Sequence, residues 1–156
     1  MTRPDTLGLV YLDSSVFIRY MQRDTGWDVV DRLLRAAEAN QFELLTSPLL
    51  LVECLGQQPS TTYDAGTEAR TLAALDNPRL IPAEFNRSTA LRARHLHLTG
   101  TIRGTCDAIH LASAIEHEAD AFLTFDTDDF PIGQLVDGVW VDVPYFPGDD
   151  TTLFST

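Results

Sequence analysis

Short apolar runs alternate with helix-forming segments along this chain, and that alternation constrains its fold more than any other feature. "LGLVYL" at 7–12 has the composition of a strand buried on both faces, and residues 14–22 continue as a helix. "GWDVVDRLLRAAEAN" at 26–40 places Val29, Val30, Leu33, Leu34 and Ala37 at helical spacing with arginines opposite. "FELLT" at 42–46 reads as a second strand leading into "SPLLLVECL", with Ser47 the expected N-cap and Pro48 the first helical residue. Residues 63–76 read as a helix, 79–83 as a short strand, and "NRSTALRARHLHLTG" as a helix stopped by Gly100. "TCDAIHLASAIEHE" at 105–118, with Thr105 as N-cap, is apolar around most of its circumference and is expected to be buried. "DAFLTFD" at 120–126 and "GVWVDV" at 138–143 supply the last strands. Such alternation predicts an α/β fold with a mostly parallel sheet covered on both faces. In that architecture sites form beyond the carboxyl ends of the strands.

A length of 156 residues with 44% apolar composition suits one domain, expected over 1–156 with a core at about 7–143 and an acidic tail at 144–156. No apolar run approaches the roughly 20 residues that span a bilayer, and no signal-like opening is visible. A soluble, cytoplasmic protein with no membrane partner is therefore expected. Cys54 and Cys106 lack the spacing of a disulfide framework or zinc site and are read as reduced, buried thiols. The net charge of −12 is unevenly placed: residues 1–103 carry 12 acids against 11 arginines, and residues 104–156 carry 11 acids and no basic residue. A phosphate-binding surface must then come from the first two thirds of the chain.

Asp13 and Asp126 each close an apolar strand, Asp107 lies in the first turn of a buried helix, and Glu53 lies about two turns into the helix after the second strand. A lone carboxylate in such apolar surroundings is costly to bury. Four that converge repel one another unless a cation compensates, and a hard divalent ion with oxygen ligands, Mg²⁺ or Mn²⁺, suits them. The helix start favours the ionised form of Asp107. Ser14, Ser15 and Thr124 are placed to orient these carboxylates by hydrogen bonds. Singly, an Asp at a strand end is usually a turn or cap residue; only the four together make a coordination set.

The order and context of "YLDSSVFI", "LLVECL", "TCDAIHLASA" and "FLTFDTDDF" resemble PIN domains, in particular the ribonuclease toxins called VapC-type, over roughly residues 9–143. The resemblance implies a three-layer α/β/α sandwich, Mg²⁺- or Mn²⁺-dependent endoribonuclease activity, homodimers and inhibition by a small cognate antitoxin. It carries metal-site and catalytic roles onto Asp13, Glu53, Asp107 and Asp126, and supporting roles onto Ser15 and Thr124. The last motif departs from the family's pattern: "TFDTDDF" has one residue more than the usual spacing, which makes Asp128 or Asp129 an extra or substitute ligand. Phosphodiester hydrolysis by water is the implied reaction, leaving 5′-phosphate and 3′-hydroxyl ends.

His110, three residues after Asp107, shares its helix face and either orients that carboxylate, touches substrate or is hydrogen-bonded within the fold. His95 and His97 cannot face the same way on a helix. Arg19, Arg23, Arg87, Arg94 and Arg103 are candidates for guiding RNA through bidentate phosphate contacts. In the tail, Tyr145, Phe146 and Phe154 favour docking on a partner over disorder. The chain has no lysine, which argues against receiver domains, haloacid-dehalogenase-like phosphatases and P-loop nucleotidases. The competing expectations are a PIN-like binding module without catalysis and a DNA-directed nuclease.

Overall fold

The computed structural model describes residues 2–55 and 65–149. Strand β1 (Leu9–Leu12) leads into helix α1 (Ser14–Gln22), followed by α2 (Trp27–Glu38), β2 (Glu43–Thr46), α3 (Leu49–Leu55), α4 (Ala65–Leu75) and β3 (Leu80–Pro82). Helices α5 (Arg87–Leu98) and α6 (Thr105–Glu116) precede β4 (Ala121–Leu123), β5 (Gln134–Val136) and β6 (Val139–Asp142). The sheet order is β3-β2-β1-β4-β6-β5, with every neighbouring pair parallel except β5 and β6.

Side chains alternate across the strands and divide the core in two. Val10 and Leu12 of β1 pack with Leu44, Ala121 and Leu123 under α1, α2 and α3. Tyr11 between them points the other way, with Leu45, Phe122 and Val141, against α5 and α6. This is the expected α/β/α sandwich. β1 has β2 on one side and β4 on the other; the helices that connect β1 to β2 (α1 and α2) pack on one face, and those that lead into β4 (α5 and α6) on the other. The carboxyl end of β1 is thus the switch point at which a crevice opens.

Several local expectations shift. The helix after β2 starts at Leu49, one residue later than expected, and Ser47 caps it by accepting from the Leu49 N–H at 3.2 Å. The N-cap of α6 is Gly104, not Thr105, which is the first helical residue. Glu53 is the fifth residue of α3, closer to the sheet end than two turns. β5 was not foreseen: it is short and largely exposed, so it lacks the apolar run that marks the other strands. Its signal was the Asp137–Gly138 turn, where both residues have positive φ, as a tight hairpin requires.

Residues 56–64 lie outside the described residues, and the helix expected over 63–76 is described from Ala65, where α4 begins. The first part of the tail docks on the chain's own body. Tyr145 is buried and donates to the Pro4 carbonyl at 3.2 Å, and Arg32 stacks over Phe146 while pairing with Asp149. Phe154 lies outside the described residues. The thiol expectation is corrected for Cys106, which is exposed together with Thr105 at the start of α6, a turn no other described element covers on that side; Cys54 is half-buried against the core. Among the described residues no helix is long and apolar enough to cross a membrane.

Candidate active site

Leu12 of β1 sits in register with Leu123 of β4, so the next residues, Asp13 and Thr124, emerge side by side at the carboxyl end of the sheet. The pairing continues one step further, with Asp13 N–H donating to the Leu123 carbonyl at 3.0 Å. Asp13 is 3% exposed. Its Oδ2 accepts from Ser15 Oγ and Thr124 Oγ1, both at 2.8 Å, while Oδ1 is buried without a hydrogen-bond partner among the described residues. Ser15 also accepts from the Phe125 N–H and Thr124 from the Asp126 N–H, each at 3.0 Å. The two hydroxyls therefore fix the acid and the loop after β4 together.

Asp107 belongs to the first turn of α6 and faces the same crevice. Burial, and then the charges of Asp13, Asp129 and Asp126, push its carboxyl up to about 6. Burial and Asp129 likewise raise Asp126, against the opposing backbone N–H groups of Asp129 and Asp128 that donate to it. The extra residue in "TFDTDDF" is thus absorbed in a turn that folds back on the Asp126 carboxylate. It also brings the Asp129 charge to the site, whereas Asp128 contributes its backbone. Gly104 permits the Asp107 pose, since a Cβ there would overlap Asp107 Oδ2.

Glu53 arrives from α3 and is tied to α6 by a short contact, Oε2 to His110 Nε2 at 2.5 Å. Burial disfavours charge on both groups, yet the contact outweighs it. Glu53 is held below the usual carboxylate range, with help from the Ser14 hydroxyl, and His110 above its ordinary value, with help from Asp13. Burial and the Glu53 and Asp13 charges push the neighbouring Cys54 thiol up to about 12, so it is no nucleophile. His110 is fully buried, which excludes the substrate contact allowed by the sequence. It hydrogen-bonds Glu53 rather than Asp107.

Asp13, Glu53, Asp107, Asp126 and Asp129 are therefore neighbours, contributed by β1, α3, α6 and the loop after β4. Among the described residues no three of them are drawn to one point, as ligands are around a bound ion. The buried, unpartnered Asp13 Oδ1, amid carboxylates that raise one another's proton affinity, is what a site completed by a cation presents. Of the arginines, Arg19 lies over the Phe125 ring at 4.2 Å beside the site, and Arg103 is exposed just before α6. Arg23 stacks on Trp27 instead; Arg87 and Arg94 are exposed on α5, as are His95 and His97. Tyr11 and Gly104 were missed in the sequence: the first hides in an apolar run, the second at a helix start.

The mutual repulsion has a measurable cost. Asp107 binds its proton more tightly in the folded chain than its ordinary value of 3.8 implies. That contribution to stability is fully present below pH 3.8 and is lost as pH rises through about 6. Asp107→Asn is therefore expected to stabilise the metal-free protein at pH 7.5, on the order of 1 kcal/mol after allowing for solvent screening, and not at pH 3.5. Thermal unfolding of both proteins at the two pH values checks this. An equal or lower Tm for the variant at pH 7.5 would refute it.

The PIN domain family model matches residues 10–132, more than half of the chain. Among solved structures, a chain of a toxin–antitoxin complex from Klebsiella pneumoniae is 22% identical with a TM-score of 0.61, covering 88% of this chain and 98% of that one. VapBC2 from Rickettsia felis, bound to a DNA fragment from its promoter, is 13% identical with a TM-score of 0.60, covering 86% and 98%. VapC20 from Mycobacterium tuberculosis, a toxin that cleaves the sarcin–ricin loop, is 14% identical with a TM-score of 0.57, covering 76% and 91%. At these identities the likeness is one of fold. No curated protein sequence matches. A family match of this extent, over a sheet whose strand ends gather the acids, settles the affiliation: the chain belongs to the PIN-domain family.

Proposed function

We propose that the chain is a divalent-metal-dependent endoribonuclease of the VapC type, the toxin of a toxin–antitoxin pair, acting in the cytoplasm as a single domain. The observation that carries this reading is the Asp13 carboxylate, one oxygen committed to Ser15 and Thr124 and the other buried without a hydrogen bond among further acids, with His110 Nε2 at 3.8 Å. Asp13 and Asp107 would hold the ion, with Asp126, Glu53 and Asp129 around it. Mg²⁺ or Mn²⁺ so bound supplies charge neutralisation at the scissile phosphate and a more acidic water.

The chain's own residues do the rest. Ser15 and Thr124 keep Asp13 Oδ1 turned into the crevice, and the Asp128 and Asp129 N–H groups hold Asp126 at its edge. Arg19, braced on Phe125 and donating to the Thr25 carbonyl, is the cation best placed to meet an RNA phosphate; Arg103 stands before α6. Water attacks phosphorus in line and the 3′ oxygen leaves, giving 5′-phosphate and 3′-hydroxyl ends. As a toxin of this type the protein would form homodimers and be held inactive by a small antitoxin, as the toxin–antitoxin complexes that share its fold suggest.

The test is to incubate purified, antitoxin-free protein with total RNA in Mg²⁺ or Mn²⁺ and sequence the fragment ends. Discrete fragments with 5′-phosphates that disappear in EDTA are expected. Cutting of DNA in place of RNA would move the protein to the DNA-directed nucleases. Absence of both cleavage and Mn²⁺ binding would leave a binding module.

A further inference from the structure

Behind the acids runs a buried polar relay that the proposed reaction does not itself require. Ser47 N–H, at the entry to α3, donates to Tyr11 Oη at 3.0 Å, and Tyr11 Oη meets His110 Nδ1 at 2.7 Å. His110 Nε2 then meets Glu53 Oε2 at 2.5 Å and lies 3.8 Å from Asp13 Oδ1. Tyr11 Oη, which accepts from Ser47, pairs with Nδ1 in either charge state of the ring, giving its hydrogen to the neutral form and accepting from the imidazolium, while Nε2 carries the hydrogen that goes to Glu53. Tyr11 and His110 are both fully buried. The tyrosine ring is clamped by Phe122, stacked at 5.3 Å, and meets the imidazole edge-on at 5.9 Å. Tyr11 and His110 are thus each fixed by packing on one side and by a hydrogen bond on the other.

Its ends coincide with the acid-bearing elements. Tyr11 is two residues before Asp13 on β1, His110 three residues after Asp107 on α6, and Ser47 leads into the helix that carries Glu53. α3, at seven residues, is the shorter of the two helices the relay joins. Without His110, nothing among the described contacts except the Ser14 hydroxyl would restrain the Glu53 carboxylate. With it, Oε2 is held by His110, and the Ser14 hydroxyl is the carboxylate's other partner.

Resting on the nuclease reading, we infer that His110, held by Tyr11, is a positioning residue that sets Glu53 for the metal and couples α3 to β1 and α6. It acts through Glu53 and touches neither substrate nor ion. The test is a double-mutant cycle on Mn²⁺ affinity, measured by EPR of the free ion, with cleavage rates alongside. His110→Leu should weaken Mn²⁺ binding by about 10- to 100-fold, the usual cost of losing an outer partner of a ligand. His110→Gln, whose amide reaches the Nε2 position, should recover most of that loss, and Tyr11→Phe should lose less than His110→Leu.

In the Glu53→Gln background, His110→Leu should add almost nothing. A merely structural histidine would instead give additive losses and no rescue by glutamine, and either result overturns the inference. Should His110→Leu fail to fold, His110→Gln and Tyr11→Phe carry the cycle. Wild-type protein that binds no Mn²⁺ overturns the nuclease reading and the relay's role with it; wild-type binding that the variants retain in full overturns the relay alone.

Discussion

Asp13→Asn is expected to lower RNA cleavage by about 10³-fold or more, the several kcal/mol that a catalytic ion supplies, while leaving the fold intact. The size follows from the hydrogen bonds and not from charge alone. Ser15 and Thr124 both donate to Oδ2, so the amide of the variant must keep its oxygen there and turn its NH₂ to the Oδ1 position. Two hydrogens would then point at the place where a cation is to bind. Those flanking bonds survive the change, so stability should not fall, and loss of one of the mutually repelling charges offsets part of any local rearrangement. Steady-state cleavage, Mn²⁺ affinity and Tm measured together check this. Retained cleavage, or a loss of activity that merely follows a loss of folded protein, would remove Asp13 from the centre of the site.

Much of the site was legible because topology does the gathering. Asp13 and Asp126 follow apolar strands, Asp107 opens a buried helix, and a parallel sheet brings strand ends and helix starts to one edge. Local spacing told nothing of partners far along the chain. Tyr11 and His110 are 99 residues apart, and a tyrosine in "LVYL" looks like core, which it also is. The sequence put His110 on the Asp107 face of α6, correctly as to helix periodicity, but could not show that α3 would slide in opposite it and take the hydrogen bond. Cys106 differs for the same reason: apolar neighbours imply burial only where another element covers them, and Thr105 and Cys106 at the start of α6 are exposed. The sequence reads the tail's aromatics as favouring docking on a partner over disorder; in the fold Arg3 and Arg32, more than a hundred residues earlier, stack on Tyr145 and Phe146.

Gly104→Ala is expected to separate activity from stability. The backbone of Gly104, with φ −76° and ψ 137°, is one that alanine adopts without strain, so the substitution should leave Tm unchanged or raise it slightly by restricting the unfolded chain. The added methyl, however, would overlap Asp107 Oδ2, and the only atoms free to yield are those of the carboxylate itself. Moving a ligand by about 1 Å costs on the order of 10²-fold in rate, and that loss should appear in kcat/KM together with weaker Mn²⁺ binding. Gly100→Ala makes the complementary comparison: at φ +73° an alanine is strained, yet a Cβ there meets nothing within 4 Å. That variant should lose stability and keep its activity per folded molecule. If Gly104→Ala cleaves RNA at the wild-type rate, the pose of Asp107 does not matter to the chemistry, and the carboxylates of Asp126 and Asp129, which raise its pKa from across the crevice, become the ligands to test next.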